Sequence, residues 1–331
     1  MPSDSYPYAV GRIRRLELSL LEQADFNRIS EQPPETAVKS LADTGYGQNA
    51  QNKDDADALV TAEFELLRTV INELTPKKEL TDLFFLTQDA INIKLLLKAR
   101  LLGDTIENDE FAFGLFNVEI LKKAVNEKKY SDLPGLLAEG MLELEKIILE
   151  KGQLEDADPF MIGAMVDRIV YKFIFNQIKS SKNALVSRYF KAKVDFTNIL
   201  SMLRVRLLKW KKERFSLVFI DGGEVSAKTL LGMYDLADDA IVNAAEGEYK
   251  DVIRRGINAC FTETGSIQIH AAAMIFDDAL LDIAAAERHD SFGIGPVVYY
   301  LLRKIDEGRR IRVLFTHIRS GEPAKKDSRR S

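Results

Sequence analysis

The residues Gly222-Gly223-Glu224-Val225-Ser226-Ala227-Lys228-Thr229 stand one substitution away from a phosphate-binding loop. In such a loop, backbone N–H groups wrap around phosphate oxygens, a lysine reaches the outer phosphates and a hydroxyl residue meets magnesium. Ala227 occupies the place of the second glycine, and its Cβ obstructs the close approach that glycine permits. Helical sequence surrounds the segment, so the strand–loop–helix setting is missing. It reads as a glycine turn followed by a helix capped near Ser226. The opposing reading is a nucleotide-dependent enzyme, which tight ATP–Mg²⁺ binding abolished by Lys228→Ala would establish.

Other reactive types are scattered. His270, His289 and His317 are isolated, and none has metal-ligand spacing. The pairs Asp54-Asp55 and Asp277-Asp278 put neighbouring side chains in different directions on a helix. No G-x-S-x-G elbow occurs. Cys260 is the only cysteine, so no intrachain disulfide can form and a reducing compartment is expected. With no histidine close in sequence, it reads as a small buried hydrophobe rather than a nucleophile. The expectation is a protein without an active site, metal or cofactor.

Composition bounds the partners. Hydrophobic residues make up 46% and charged residues 29% of the 331, as in an ordinary globular protein. A net charge of −5 with interspersed signs argues against nucleic acid. Lys209–Arg214 is locally basic and reads as a solvated helix end. No apolar run approaches the roughly 18 residues of a membrane span. Met1–Tyr8 lacks the basic and apolar regions of a secretory leader. A cytoplasmic protein is expected, with any membrane association peripheral.

The elements that must position these residues are helices; the fold class expected is all-α. Apolar residues recur at helical spacing over Tyr8–Ser30, Leu59–Leu74, Leu80–Leu102, Glu119–Glu127 and Leu133–Lys151. They do so again over Phe160–Ser180, Ala184–Arg214, Ser226–Ala245 and Ile267–Arg288. Pro76 suits the first turn of the helix that follows it. Gly45–Asp57 reads as a loop and Arg319–Ser331 as a frayed basic tail. Ser216–Ile220 and Val313–Thr316 have strand propensity, but a lone pair in so helical a chain reads as helix ends or loop.

The most informative feature is a repeat. Asp89, Asn92, Ile93, Leu96 and Arg100 fall at i, i+3, i+4, i+7 and i+11, and Asp195, Asn198, Ile199, Met202 and Arg206 fall at the same offsets. Those offsets line one helix face. A weaker copy reads Phe292, Gly295, Pro296, Tyr299 and Arg303. Three tandem helical modules explain the pattern, with bounds at 1–110, 111–214 and 215–318 and a flexible tail over 319–331.

The order of motifs resembles a known family. Tyr8-Ala9-Val10-Gly11-Arg12-Ile13-Arg14, Leu41-Ala42-Asp43-Thr44-Gly45-Tyr46, Asp89-x-x-Asn92-Ile93-Lys94 and Asp195-x-x-Asn198-Ile199 with Arg204 and Arg206 occur in sequence. Ile220-Asp221-Gly222-Gly223-Glu224 follows, then Gly295-Pro296-Val297-Val298-Tyr299-Tyr300-Leu301-Leu302 and Arg312. Together they are similar to the C subunit of archaeal and bacterial V/A-type ATPases, the counterpart of the d subunit in the eukaryotic vacuolar enzyme. The likeness spans nearly the whole chain. It implies three related helical modules arranged as a pseudo-threefold funnel. The narrow end would sit on the membrane rotor (proteolipid) ring, and the central shaft of the soluble head would plug the wide end. The implied role is a non-catalytic connector, one copy per complex, that transmits torque for ATP-coupled H⁺ or Na⁺ transport. It would lie peripherally on the cytoplasmic face, touching protein rather than inserting into lipid. The Gly222-Gly223 segment becomes a module-linking turn. The third copy departs from the pattern, with Phe292 and Gly295 replacing Asp and Asn.

Two readings of the repeated arginines stay open. Arg100, Arg206 and Arg303 could line a socket and meet acidic groups on the shaft, or each could pair with a carboxylate inside its own module. The company of Ile93 and Leu96 on the same stripe favours inter-helix ion pairs. The alternative for the whole protein is a helical-repeat adaptor that binds a partner along an open concave face.

Overall fold

Amphipathic runs punctuated by polar caps dictate helices. A computed structural model describes residues 6–106, 111–150, 159–235, 249–260 and 268–320. Among the described residues there are fourteen α-helices and no strand. In chain order they begin with α1 (Tyr6–Glu17), α2 (Gln23–Ser30), α3 (Pro34–Asp43), α4 (Ala56–Leu74) and α5 (Lys78–Leu102). Next come α6 (Val118–Glu127), α7 (Gly135–Glu150), α8 (Pro159–Ser181), α9 (Ala184–Leu207) and α10 (Lys212–Val218). The last are α11 (Ala227–Met233), α12 (Lys250–Cys260), α13 (Ile269–Ala285) and α14 (Gly295–Ser320). Side-chain oxygens of Asp55, Asn117, Asn183 and Ser226 cap α4, α6, α9 and α11 by accepting free N–H groups of the first turn.

Several boundaries differ from the periodicity. Tyr8–Ser30 is two helices, because the chain turns at Leu18–Glu22. Ala184–Arg214 is also broken: Lys209 adopts φ 54° and ends α9. Pro76 lies two residues before α5 rather than in its first turn. Phe292 is exposed and precedes α14, so the third stripe is helical only from Gly295 onward. Val313–Thr316 lies within α14, and Ser216–Val218 ends α10. The second half of the expected Ser226–Ala245 helix, and the tail beyond Ser320, fall outside the described residues.

The chain forms two units, Met1–Thr81 with Ala284–Ser331, and Asp82–Ile283. In the first, α14 packs against α4, α1, α2 and α3. Gly308 of α14 permits close approach, since a Cβ there would sit 2.3 Å from the Phe64 ring of α4. Val297, Val298, Leu301 and Ile311 of α14 share the buried set with Ile13, Leu41, Leu59 and Ile71. In the second unit α9 is buried over most of its length, its buried set including Asp195 and Asn198 beside apolar residues. The rings of Phe84, Tyr189 and Phe190 meet tilted or edge-on with centres 5.0–5.2 Å apart, and Phe196 stacks on Phe276 at 4.6 Å. Cys260 is fully buried and forms no disulfide.

Candidate functional site

A buried loop must satisfy its backbone, and the repeated Asp–Asn pairs supply the partners. On α5, Asn92 Nδ2 donates to the Ala112 carbonyl at 2.8 Å, and its Oδ1 accepts from the Ala112 N–H at 2.7 Å. Asp89 accepts from the Leu115 N–H at 2.7 Å and from the Phe116 N–H at 3.3 Å. The α9 copy repeats the geometry. Asn198 exchanges both bonds with Ile220 at 2.8 Å, and Asp195 accepts from Glu224 N–H at 2.9 Å and Val225 N–H at 3.0 Å. All four side chains belong to residues at most 3% exposed. The residue types follow from the demand: one residue offering both N–H and C=O needs an amide, whereas two consecutive N–H groups need an acceptor-only carboxylate.

Each clamp depends on a glycine. A Cβ on Gly114 would lie 1.8 Å from Asp89 Oδ1, and one on Gly223 would lie 2.0 Å from Asp195 Oδ1. The gripped pairs Leu115-Phe116 and Glu224-Val225 lead directly into the caps Asn117 and Ser226. Burial pushes the Asp195 carboxyl up to about 6, against the two backbone N–H groups that favour its charged form. The resemblance to a phosphate loop is thereby explained. Gly222 has φ 111°, the Glu224 and Val225 N–H groups are taken by Asp195, and the Thr229 N–H is taken by Ser226 Oγ. The segment is the second copy of a clamped joint.

The three stripe arginines have different surroundings. Arg100 Nη2 meets both Glu145 oxygens, at 2.8 and 2.9 Å, and Nη1 donates to the Val125 carbonyl. The Tyr130 hydroxyl also donates to Glu145, and burial followed by that bond pushes its pKa up. Arg206 lies near Tyr234, where its charge opposes the upward push of burial on that hydroxyl. Arg303 Nη1 donates to the Tyr299 hydroxyl at 3.1 Å. Arg100 and Arg206 belong to the unit Asp82–Ile283, and Arg303 to the other.

The third copy has no Asp–Asn clamp; Gly295 fits there because a Cβ would lie 2.2 Å from the Glu287 carbonyl oxygen. The polar grip sits further along α14. Lys304 Nζ lies 2.6 Å from both Glu63 and Glu307. Glu307 accepts the Leu21 N–H at 2.8 Å, and Glu63 accepts the Gly47 N–H at 3.0 Å. Burial pushes the Glu307 carboxyl up, with Lys304 opposing. Sequence reasoning misses this cluster, because Lys304 and Glu307 lie in the charged run Arg303–Arg310, where nothing marks them as the buried pair. It also misses the loop of the first clamp, Ala112–Phe116, which shares with the second a glycine three positions before a capping residue.

Comparison with known proteins places these features. A family model described as ATP synthase (C/AC39) subunit matches residues 9–328. The chain belongs to that family. Members of similar sequence include the C subunit of the A-type ATP synthase of Thermococcus kodakarensis, 25% identical with 96% of this chain and 87% of that protein covered. The corresponding A-type ATP synthase C subunit of Pyrococcus abyssi is 23% identical over the same shares. The C subunit of the V-type sodium ATPase of Enterococcus hirae is 21% identical, with 91% of this chain and 90% of that one covered. Within the C/AC39 family this chain is an ATP synthase accessory subunit, and other subunits of such a complex are its partners. Among the described residues no helix is long and apolar enough to cross a membrane.

Proposed function

We propose that this C/AC39 protein is the central-stalk connector of a rotary V/A-type ATPase. It links the rotating shaft of the soluble head to the membrane rotor ring and transmits torque for ATP-coupled H⁺ or Na⁺ transport. It acts as one copy per complex on the cytoplasmic face, holding both partners by protein contacts, with neither lipid insertion nor bond chemistry of its own. Three modules, 1–110, 111–214 and 215–318, form a pseudo-threefold funnel.

The observation that carries this reading is the placement of the clamps. Asp89 and Asn92 of the first module grip Ala112, Leu115 and Phe116 of the second. Asp195 and Asn198 of the second grip Ile220, Glu224 and Val225 of the third. A part that transmits torque must not yield at its joints, and buried backbone hydrogen bonds are costly to break. A second support is the packing of α14 against α1 to α4, which joins the last module to the first. In an open solenoid each repeat touches only its neighbours.

The test is co-purification. The tagged chain is expressed in its native host, membranes are solubilised in mild detergent, and the captured proteins are identified. Shaft and rotor-ring subunits are expected at stoichiometric ratio. A monomer recovered without ATPase subunits would overturn the connector and leave the adaptor in its place.

A further inference from the structure

Between the last turn of α1 and the first turns of α14 the first unit opens a cleft of about 350 Å³. Arg14, Arg288 and Arg303 line it, together with Glu17, Glu22 and Tyr299. Arg14 pairs with Glu17 at 2.7 Å and its second nitrogen donates to the Arg288 carbonyl. The Glu22 side chain accepts an N–H from the first turn of α2 as half of a capping box. Glu17 is engaged by Arg14 through Oε2, while its buried Oε1 has no hydrogen-bond partner among the described residues. Arg288 donates to His289 Nε2 at 2.9 Å, and its guanidinium lies 5.8 Å from the Tyr299 ring centre. Arg303 lies 5.9 Å from the same ring and bonds its hydroxyl. Two guanidiniums thus flank one phenol ring.

Like charges so placed repel each other, and an anion shared between them relieves the repulsion. The planar guanidinium fork matches a carboxylate with two parallel hydrogen bonds. The cleft walls also include Leu20 and Leu21. Half-buried Leu20 offers the methylenes of an acidic side chain an apolar contact that a small inorganic ion would not use.

We propose that this cleft docks an acidic peptide segment of a protein partner, with neighbouring carboxylates received by Arg288 and Arg303. The proposal rests on the connector reading only for the identity of the partner. Arg303 is then the stripe arginine that meets an external carboxylate, whereas Arg100 spends its charge on Glu145.

His289 lines the cleft and is one of three histidines in the chain, so its ring signals report occupancy in ¹H–¹⁵N spectra. The full chain is titrated with tetraglutamate, with tetraglutamine and with inorganic phosphate. Tetraglutamate is expected to shift the His289 signals saturably, leaving those of His270 and His317 in place. Added salt and Arg303→Gln should each weaken binding at least tenfold. Exposed Arg288 gives a second variant, Arg288→Gln, whose folding is not in question and which should show the same loss. The proposal is overturned if no saturable shift occurs, if tetraglutamine binds equally, or if both variants bind like the parent. Equal binding of phosphate would overturn the peptide and mark a free-anion site. Because the probe is synthetic, peptide binding without co-purified shaft subunits would sink the connector alone, and the reverse result would sink the cleft alone.

Discussion

At the scale of single residues the clamps carry the sharpest expectations. Gly114 and Gly223 are needed for space, because a Cβ at either would sit within 2.0 Å of a carboxylate oxygen. Gly114→Ala and Gly223→Ala should each cost about 2–4 kcal/mol, as the loop must retreat and its N–H groups lose buried acceptors. Gly135→Ala, at the open start of α7, is the control and should lie within about 0.5 kcal/mol of the parent. Urea denaturation measures all three, and equal midpoints would remove the clamp from the stability of the protein. The second expectation concerns pH. Asp195 holds its proton up to about 6 in the folded chain, against an ordinary 3.8, chiefly because burial disfavours its charge. Between those values the native state binds more protons than the unfolded one. The contribution of this group to stability is therefore fully present below the unfolded value and lost as pH rises through the folded one. At about 1.4 kcal/mol per unit, the parent should lose up to about 3 kcal/mol relative to Asp195→Asn between pH 4 and 7. A difference that stays constant across that range would refute the assignment.

At the scale of elements, α5 and α7 are braced by Arg100 and Glu145, the latter only 6% exposed in its side chain. Arg100→Met leaves Glu145 buried with the Tyr130 hydroxyl alone, and about 3–5 kcal/mol should be lost. The double variant Arg100→Met/Glu145→Met should recover most of it on urea denaturation, since neither charge is then stranded. If the double variant is as unstable as the single, the site is held by packing and the charges are incidental. What the elements disclose in sequence follows from the same physics. The stripes on α5 and α9 are legible because the spacing of side chains on a helix is fixed. Their targets are not, because Ala112 and Ile220 take part through backbone atoms, which any residue possesses. The end of α5 is marked by Gly103 at φ 73°, a residue type that announces such a turn. The corresponding residue in the second copy is Lys209, which adopts the same region at φ 54° without announcing it, so α9 reads as continuous with α10. Lys304 and Glu307 hide α14, because their charges break the apolar period although both are buried. In the same way the near-phosphate loop is rejected on Ala227, while its real occupant, Asp195, lies 28 positions upstream of Gly223 and is revealed only by the fold.

At the scale of the molecule, the first and last segments of the chain belong to one unit, so neither can form its core alone. Lys304 sits at the centre of that dependence, 3% exposed between Glu63 of α4 and Glu307 of α14. Through those carboxylates it also fixes the Leu21 and Gly47 N–H groups. Lys304→Met would leave buried Glu307 facing partly buried Glu63 without a cation, a loss of about 3–5 kcal/mol. The loss should be shared by everything that α14 touches. Amide exchange in α1 to α4 and in α14 should accelerate together by a hundredfold or more, since about 3 kcal/mol is a factor of that size. Amides of α8 and α9, in the other unit, should keep their protection. Exchange that quickens in α14 alone would mean that the chain ends merely lie against a unit already stable without them. Concerted exchange would mean that α14 and α1 to α4 open only together, as one cooperative unit built from both segments of the chain.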